Sequence, residues 1–138
     1  MPLIHILGYA GLVPFIGLTC MQLWPQLMTF PASFTAFQSY SQIILTFMAG
    51  VLWPVLYQHS GKLFPLWVVS FALAGWFSSL LLPKQQLLVL AAAFIALRLF
   101  EYTQSSQLDY SPAYNRLRNH LTTVVVLCHL LYWLSLTV

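Results

Sequence analysis

Residues 63–100 read LFPLWVVSFALAGWFSSLLLPKQQLLVLAAAFIALRLF, a stretch in which Lys84 and Arg98 are the only charges. A helix that crosses the roughly 30 Å hydrocarbon layer of a membrane needs about 20 mostly apolar residues, and this stretch holds two such runs. They meet at the Pro83-Lys84 corner. So short a connection predicts an antiparallel helical hairpin. Barrel strands would alternate apolar and polar residues, and these runs are continuous.

The same pattern extends outward in both directions. Towards the N-terminus a third apolar run spans residues 4–23, carries Pro14 and ends at Trp24-Pro25, while a fourth, near 37–57, centres on Ile43 to Leu52. The latter could start as early as Pro31, since proline suits a first helical turn. Towards the C-terminus, Ser111-Pro112 reads as an N-cap followed by proline at the first helical position. A helix continuing from there would be roughly 40 Å long, enough for an interfacial turn and a full crossing near residues 119–138. The expectation is therefore an all-α, polytopic membrane helix bundle, one transmembrane domain over 1–138 with about five spans near 4–23, 37–57, 63–82, 85–102 and 119–138.

Composition supports this reading. Of 138 residues, 60% are hydrophobic and 5% charged, against about 25% charged in soluble domains. No water-facing surface can be assembled from so few charges, so lipid must solvate most of the exterior. The net charge of +3 is spread over separate chain regions, which argues against a nucleic-acid partner. It reads better as a topology signal. With five crossings, Lys62, Arg98, Arg116 and Arg118 share a side with the N-terminus and Lys84 lies opposite. The positive-inside rule then puts the N-terminus in the cytoplasm and the C-terminus in the periplasm of a bacterial inner membrane. Met1-Pro2-Leu3-Ile4-His5 lacks a basic stretch ahead of the apolar run, so the first helix is expected to be retained. Cys20 and Cys128 fall on different helices without CxxC spacing and are expected as free thiols.

Few residues nominate themselves for chemistry. Arg98 and Glu101, at i and i+3, are expected to form an interfacial ion pair. An alternative makes Glu101 a proton or cation carrier. His129 lies about midway through its apolar run, where an imidazole can bridge helices, hold a ligand or relay a proton. Ser39, Gln42, Thr46, Ala49, Gly50 and Trp53 recur at helical steps and form a small, polar stripe. Packing against a neighbouring helix is the favoured reading of that stripe. The competing one is a mid-membrane polar site of Gln42, Thr46 and His129 that takes a lipid, quinone or small solute. Asp109, Arg116 and Arg118 are candidate cytoplasmic-face contacts. His5, His59 and His120 would lie near the same face, without the local spacing of a metal motif. No catalytic triad, phosphate loop or paired-carboxylate site is present, and no resident metal or cofactor is expected.

The run Ser39-Tyr40-Ser41-Gln42-Ile43-Ile44-Leu45-Thr46-Phe47-Met48-Ala49-Gly50-Val51-Leu52-Trp53 resembles the second-helix signature of a bacterial and mitochondrial membrane family. It is the domain-of-unknown-function group that includes mitochondrial transmembrane protein 69. Pro112-Ala113-Tyr114-Asn115-Arg116-Leu117-Arg118, followed by Leu121-Thr122, is similar to that family's second block, and Ser70 and Trp76 fit as well. The chain departs from the pattern at Leu52, where a polar or basic residue commonly precedes the tryptophan. The resemblance implies a five-helix bundle in an energy-transducing membrane and carries no assigned activity. The expected role is a non-catalytic accessory or assembly subunit docked on another membrane protein or complex, respiratory by analogy. The alternative is a small transporter or a lipid- or quinone-binding membrane protein.

Overall fold

The computed structural model describes residues 2–26, 32–53, 64–104 and 108–137. These form α1 (Pro2–Ala10), α2 (Val13–Leu23), α3 (Ser33–Gly50), α4 (Phe64–Ser78), α5 (Pro83–Thr103) and α6 (Pro112–Thr137), with no strand among the described residues. The first two are nearly one helix, interrupted by the turn at Gly11-Leu12. Pro14 explains the break: it has no N–H for the carbonyl four residues back, and its ring clashes with that carbonyl. Leu82 is extended, with ψ 153°, and Pro83 opens α5, because the residue before a proline is pushed out of helical geometry. Ser111 Oγ accepts the Tyr114 N–H at 3.2 Å, the predicted N-cap of α6.

Among the described residues, three helical stretches are long and apolar enough to cross a membrane: Leu3–Leu23, Pro83–Thr103 and Pro112–Thr137. The expectation of about five is reduced to that number for two separate reasons. The α3 helix carries Ser33, Thr35, Gln38, Ser39, Ser41, Gln42 and Thr46, so its length is adequate and its apolarity is not. The α4 helix is apolar, but only 15 residues of it are described. Residues 54–63, which include the ends of both predicted spans and His59, lie outside the described residues.

Contacts between the helices give their directions. Phe100, near the end of α5, packs on Trp67 and Phe71 at the start of α4, so this pair is the antiparallel hairpin read from the sequence. Arg98 and Glu101 of α5 meet Asn115 and Arg118 of α6, making that pair antiparallel too. Ser33 and Ser41 of α3 reach Tyr132 and His129 of α6, again in opposite senses. Gly8 of α1 lies against Leu117, and Phe15 of α2 against His129, so the first helical stretch and the last run the same way. The core lies where α2, α3, α5 and α6 converge, around Phe15, Phe37, Phe94 and Tyr132. In lipid the cohesion of such a core comes from van der Waals packing and interhelical hydrogen bonds, since apolar side chains gain nothing by leaving apolar solvent.

Candidate functional site

Polar groups gather in three places, and the first is the junction of α5 and α6. Arg98 and Glu101 lie one helical turn apart on α5, and Asn115, Arg118 and Asn119 occupy the facing side of α6. Arg118 donates from Nε and Nη2 to the two carboxylate oxygens of Glu101, a bidentate pair. Arg98 Nη1 stands 3.5 Å from the same carboxylate, with side-chain exposures of 6% for Arg98, against 2% for Glu101. Its remaining donors reach Asn119 Oδ1 at 2.9 Å and the carbonyl and Oδ1 of Asn115 at 3.2 and 3.1 Å. The guanidinium also lies 4.3 Å from the centre of the Tyr102 ring. The Tyr102 hydroxyl donates to Asn119 Oδ1 at 2.7 Å.

This arrangement corrects the sequence reading in two respects. The Arg98–Glu101 pair, expected at an exposed interface where it would be worth little, is buried. Arg118, expected as a separate surface contact, is Glu101's principal partner. Two guanidiniums share one carboxylate, so the cluster carries a net positive charge among the described residues. The signal is present in the chain as Arg98-x-x-Glu101-Tyr102 followed by Asn115-x-x-Arg118-Asn119. Both sets fall on one helix face, and across an antiparallel pair they coincide. Tyr110 lies between the helices, and its phenol pKa is raised, first by burial and then by the Glu101 charge. Asp109 and Arg116 stay outside the cluster, exposed. The Asp109 backbone takes φ 50°, a left-handed conformation that aspartate tolerates better than most residues.

The second group is His129, fully buried at mid-helix and ringed by Phe15, Phe37 and Phe94, with ring centroids 4.9–5.8 Å away. Nδ1 lies 2.7 Å from the Val125 carbonyl, and Nε2 lies 2.6 Å from Ser41 Oγ. A carbonyl can only accept, so the proton is on Nδ1, and in the neutral ring Nε2 accepts from Ser41. Both imidazole nitrogens are therefore occupied within the protein. This is the interhelical hydrogen bond favoured for a buried imidazole.

The third group lies on another face of α3. Gln42 donates to the Gly75 carbonyl at 2.8 Å and to Ser78 Oγ at 3.3 Å, which ties α3 to α4. Thr46 turns back on its own helix, bonding the Gln42 and Ile43 carbonyls. A shallow groove holds Ser39, Gln42 and Thr46 beside Trp76 and Ser79. The predicted site of Gln42, Thr46 and His129 is thus split, with Gln42 facing α4 and His129 joined to Ser41 one residue along. Successive helical residues point about 100° apart, so neighbours serve different partners. Tyr9 hydrogen-bonds His120 at 3.1 Å. No group of three His, Cys, Asp or Glu residues suited to a metal occurs among the described residues. Cys20 and Cys128 are free thiols.

A family model for proteins of unknown function, DUF3429, matches residues 1–134. The chain belongs to the DUF3429 family. The match takes in every polar residue of the three groups, from Ser39 on α3 to His129 on α6. No curated protein and no solved structure matches the chain.

Proposed function

We propose that this DUF3429 protein is a five-pass protein of the bacterial inner membrane that serves as a non-catalytic accessory or assembly subunit of a larger membrane complex. The observation that carries this reading is how the mid-bundle polar side chains are used: His129 with Ser41 and Val125, Gln42 with Gly75 and Ser78, Thr46 with its own helix. The bonds of His129 to Ser41 and of Gln42 to Gly75 and Ser78 join neighbouring helices, and those of Thr46 and of His129 Nδ1 close on their own helix. A transporter would leave such groups facing a hydrated path, because ionisable and polar residues in membranes are costly unless they serve a route or a contact. Outward-facing Leu66, Trp67, Trp76 and Phe77 on α4 offer a broad apolar and aromatic face to lipid or to a partner.

Five crossings follow if α3 and α4 span with the other three stretches, as their antiparallel pairing favours. The cation distribution then orients the N-terminus to the cytoplasm and the C-terminus to the periplasm. The resemblance to the group containing mitochondrial transmembrane protein 69 directs attention to respiratory complexes, by analogy.

The test is purification of the tagged protein from its native membrane in a mild detergent, with mass spectrometry of what accompanies it. Stoichiometric recovery of a large membrane complex is the expected result. Recovery of the chain alone, across several mild detergents and with its helical signal intact, would overturn the proposal. Reporter fusions after Val138 check the orientation independently, with periplasmic activity expected.

A further inference from the structure

Beside the charged cluster, between α1, α2, α3 and α6, lies a cleft of about 130 Å³. Leu7, Leu12, Phe47, Met48 and Val125 supply apolar walls, and Arg118 stands among them. Leu7 and Phe47 are 61% and 64% exposed, so the mouth lies on the outer surface of the bundle. Arg118 has a side-chain exposure of 5%.

The charges around Arg118 do not balance. Arg98 and Arg118 share the single carboxylate of Glu101, and the remaining partners of Arg98 are neutral acceptors and an aromatic face. Arg118 uses Nε and Nη2 for Glu101, and Nη1 makes no hydrogen bond among the described residues. A largely enclosed guanidinium that lines the cleft and has donor capacity beyond its carboxylate partner favours an anion, and phosphate fits a guanidinium edge well. One monoanionic phosphate would bring the cluster to neutrality. The apolar mouth selects for a molecule that arrives through lipid.

We propose that this cleft binds an acidic phospholipid of the surrounding bilayer, an acyl chain lying along Leu7, Phe47 and Val125 and the phosphate meeting Arg118. Occupancy is independent of whether the chain docks on a larger complex.

The full chain in mild detergent is titrated with dioleoyl phosphatidylglycerol, dioleoyl phosphatidylcholine or oleate, and followed by native mass spectrometry and thermal unfolding. Both lipids offer Arg118 a phosphate, but the choline of phosphatidylcholine brings a second cation to a cluster that already carries a net positive charge, so about tenfold tighter binding of the phosphatidylglycerol is expected, at one lipid per chain. Leu7→Trp closes the mouth without touching the ion pairs and is expected to abolish that preference while its lipid-free melting point stays at the parent value. Arg118→Gln deprives Glu101 of its bidentate partner and endangers the fold, so Leu7→Trp carries the test by itself; where Arg118→Gln folds, it levels the two lipids. Arg116→Gln, an exposed cation on the same helix, keeps the preference. The proposal is overturned by equal affinity for the two lipids, by a preference that survives Leu7→Trp, by one that disappears in Arg116→Gln, or by binding of oleate in place of the phospholipid.

Discussion

Arg118 and Glu101 form a bidentate ion pair across the α5–α6 junction, with side-chain exposures of 5% and 2%. At that depth the pair's significance lies less in what it adds than in what its loss leaves behind. Removing one partner of a buried pair costs about 3–5 kcal/mol, because the other charge stays without compensation.

Glu101→Gln is therefore expected to destabilise the bundle by several kcal/mol, leaving both Arg98 and Arg118 without a counter-charge. Thermal unfolding in detergent measures it. Arg116→Gln, on the exposed side of α6, is the control and should shift the midpoint little. A Glu101→Gln midpoint equal to that of the control would mean that solvent reaches the cluster.

Ser41→Ala removes the hydroxyl that satisfies His129 Nε2. Interhelical hydrogen bonds in membrane proteins are worth about 0.6 kcal/mol on average and up to about 1.7, so a loss of about 1 kcal/mol is expected. In the double variant with His129→Phe, the cost of Ser41→Ala should largely vanish. Additive losses would show that the two side chains are uncoupled.

Gly8 and Gly17 both lie in the first helical stretch and should respond differently to a larger side chain. A Cβ at Gly8 would sit 3.3 Å from both Leu117 methyls, whereas one at Gly17 meets nothing within 4 Å. Gly17→Ala is expected to be neutral or stabilising by up to about 1 kcal/mol through helix propensity. Gly8→Leu should push α1 off α6, break the hydrogen bond between Tyr9 and His120, and lower the melting point. Equal effects at the two positions would contradict the close approach of α1 to Leu117.

Tyr110 gives a pH dependence. Burial, and secondarily the Glu101 charge, raises its folded-state pKa above the ordinary value of 10. A raised folded-state pKa means the associated stability is fully present below about pH 10 and is lost as pH climbs from there towards the folded value. The parent protein should lose stability through that alkaline range more steeply than Tyr110→Phe, as read by unfolding midpoints at successive pH values. Parallel curves would place Tyr110 in water.

Much of the architecture is legible in the chain. Continuous apolar runs and a shortage of charge leave helices in lipid as the solution, because backbone groups in hydrocarbon must be satisfied locally. Proline at position 83 places a corner, and Ser111-Pro112 places a helix start, since both effects act within a few residues. The spacing of Arg98 and Glu101 likewise places them on one face. What a helical period cannot reveal is which face meets which neighbour. Ser41 and Gln42 are adjacent in sequence, yet one joins α6 and the other α4, so treating Gln42, Thr46 and His129 as one site fails on rotation about the α3 axis. Arg118 enters the core for the same kind of reason: α6 turns residues 115, 118 and 119 towards α5, leaving Arg116 outside. Local chemistry sets the helices and their ends. The long-range packing of α6 against α5 and α3 decides which charges share a buried carboxylate and which histidine nitrogen finds a hydroxyl.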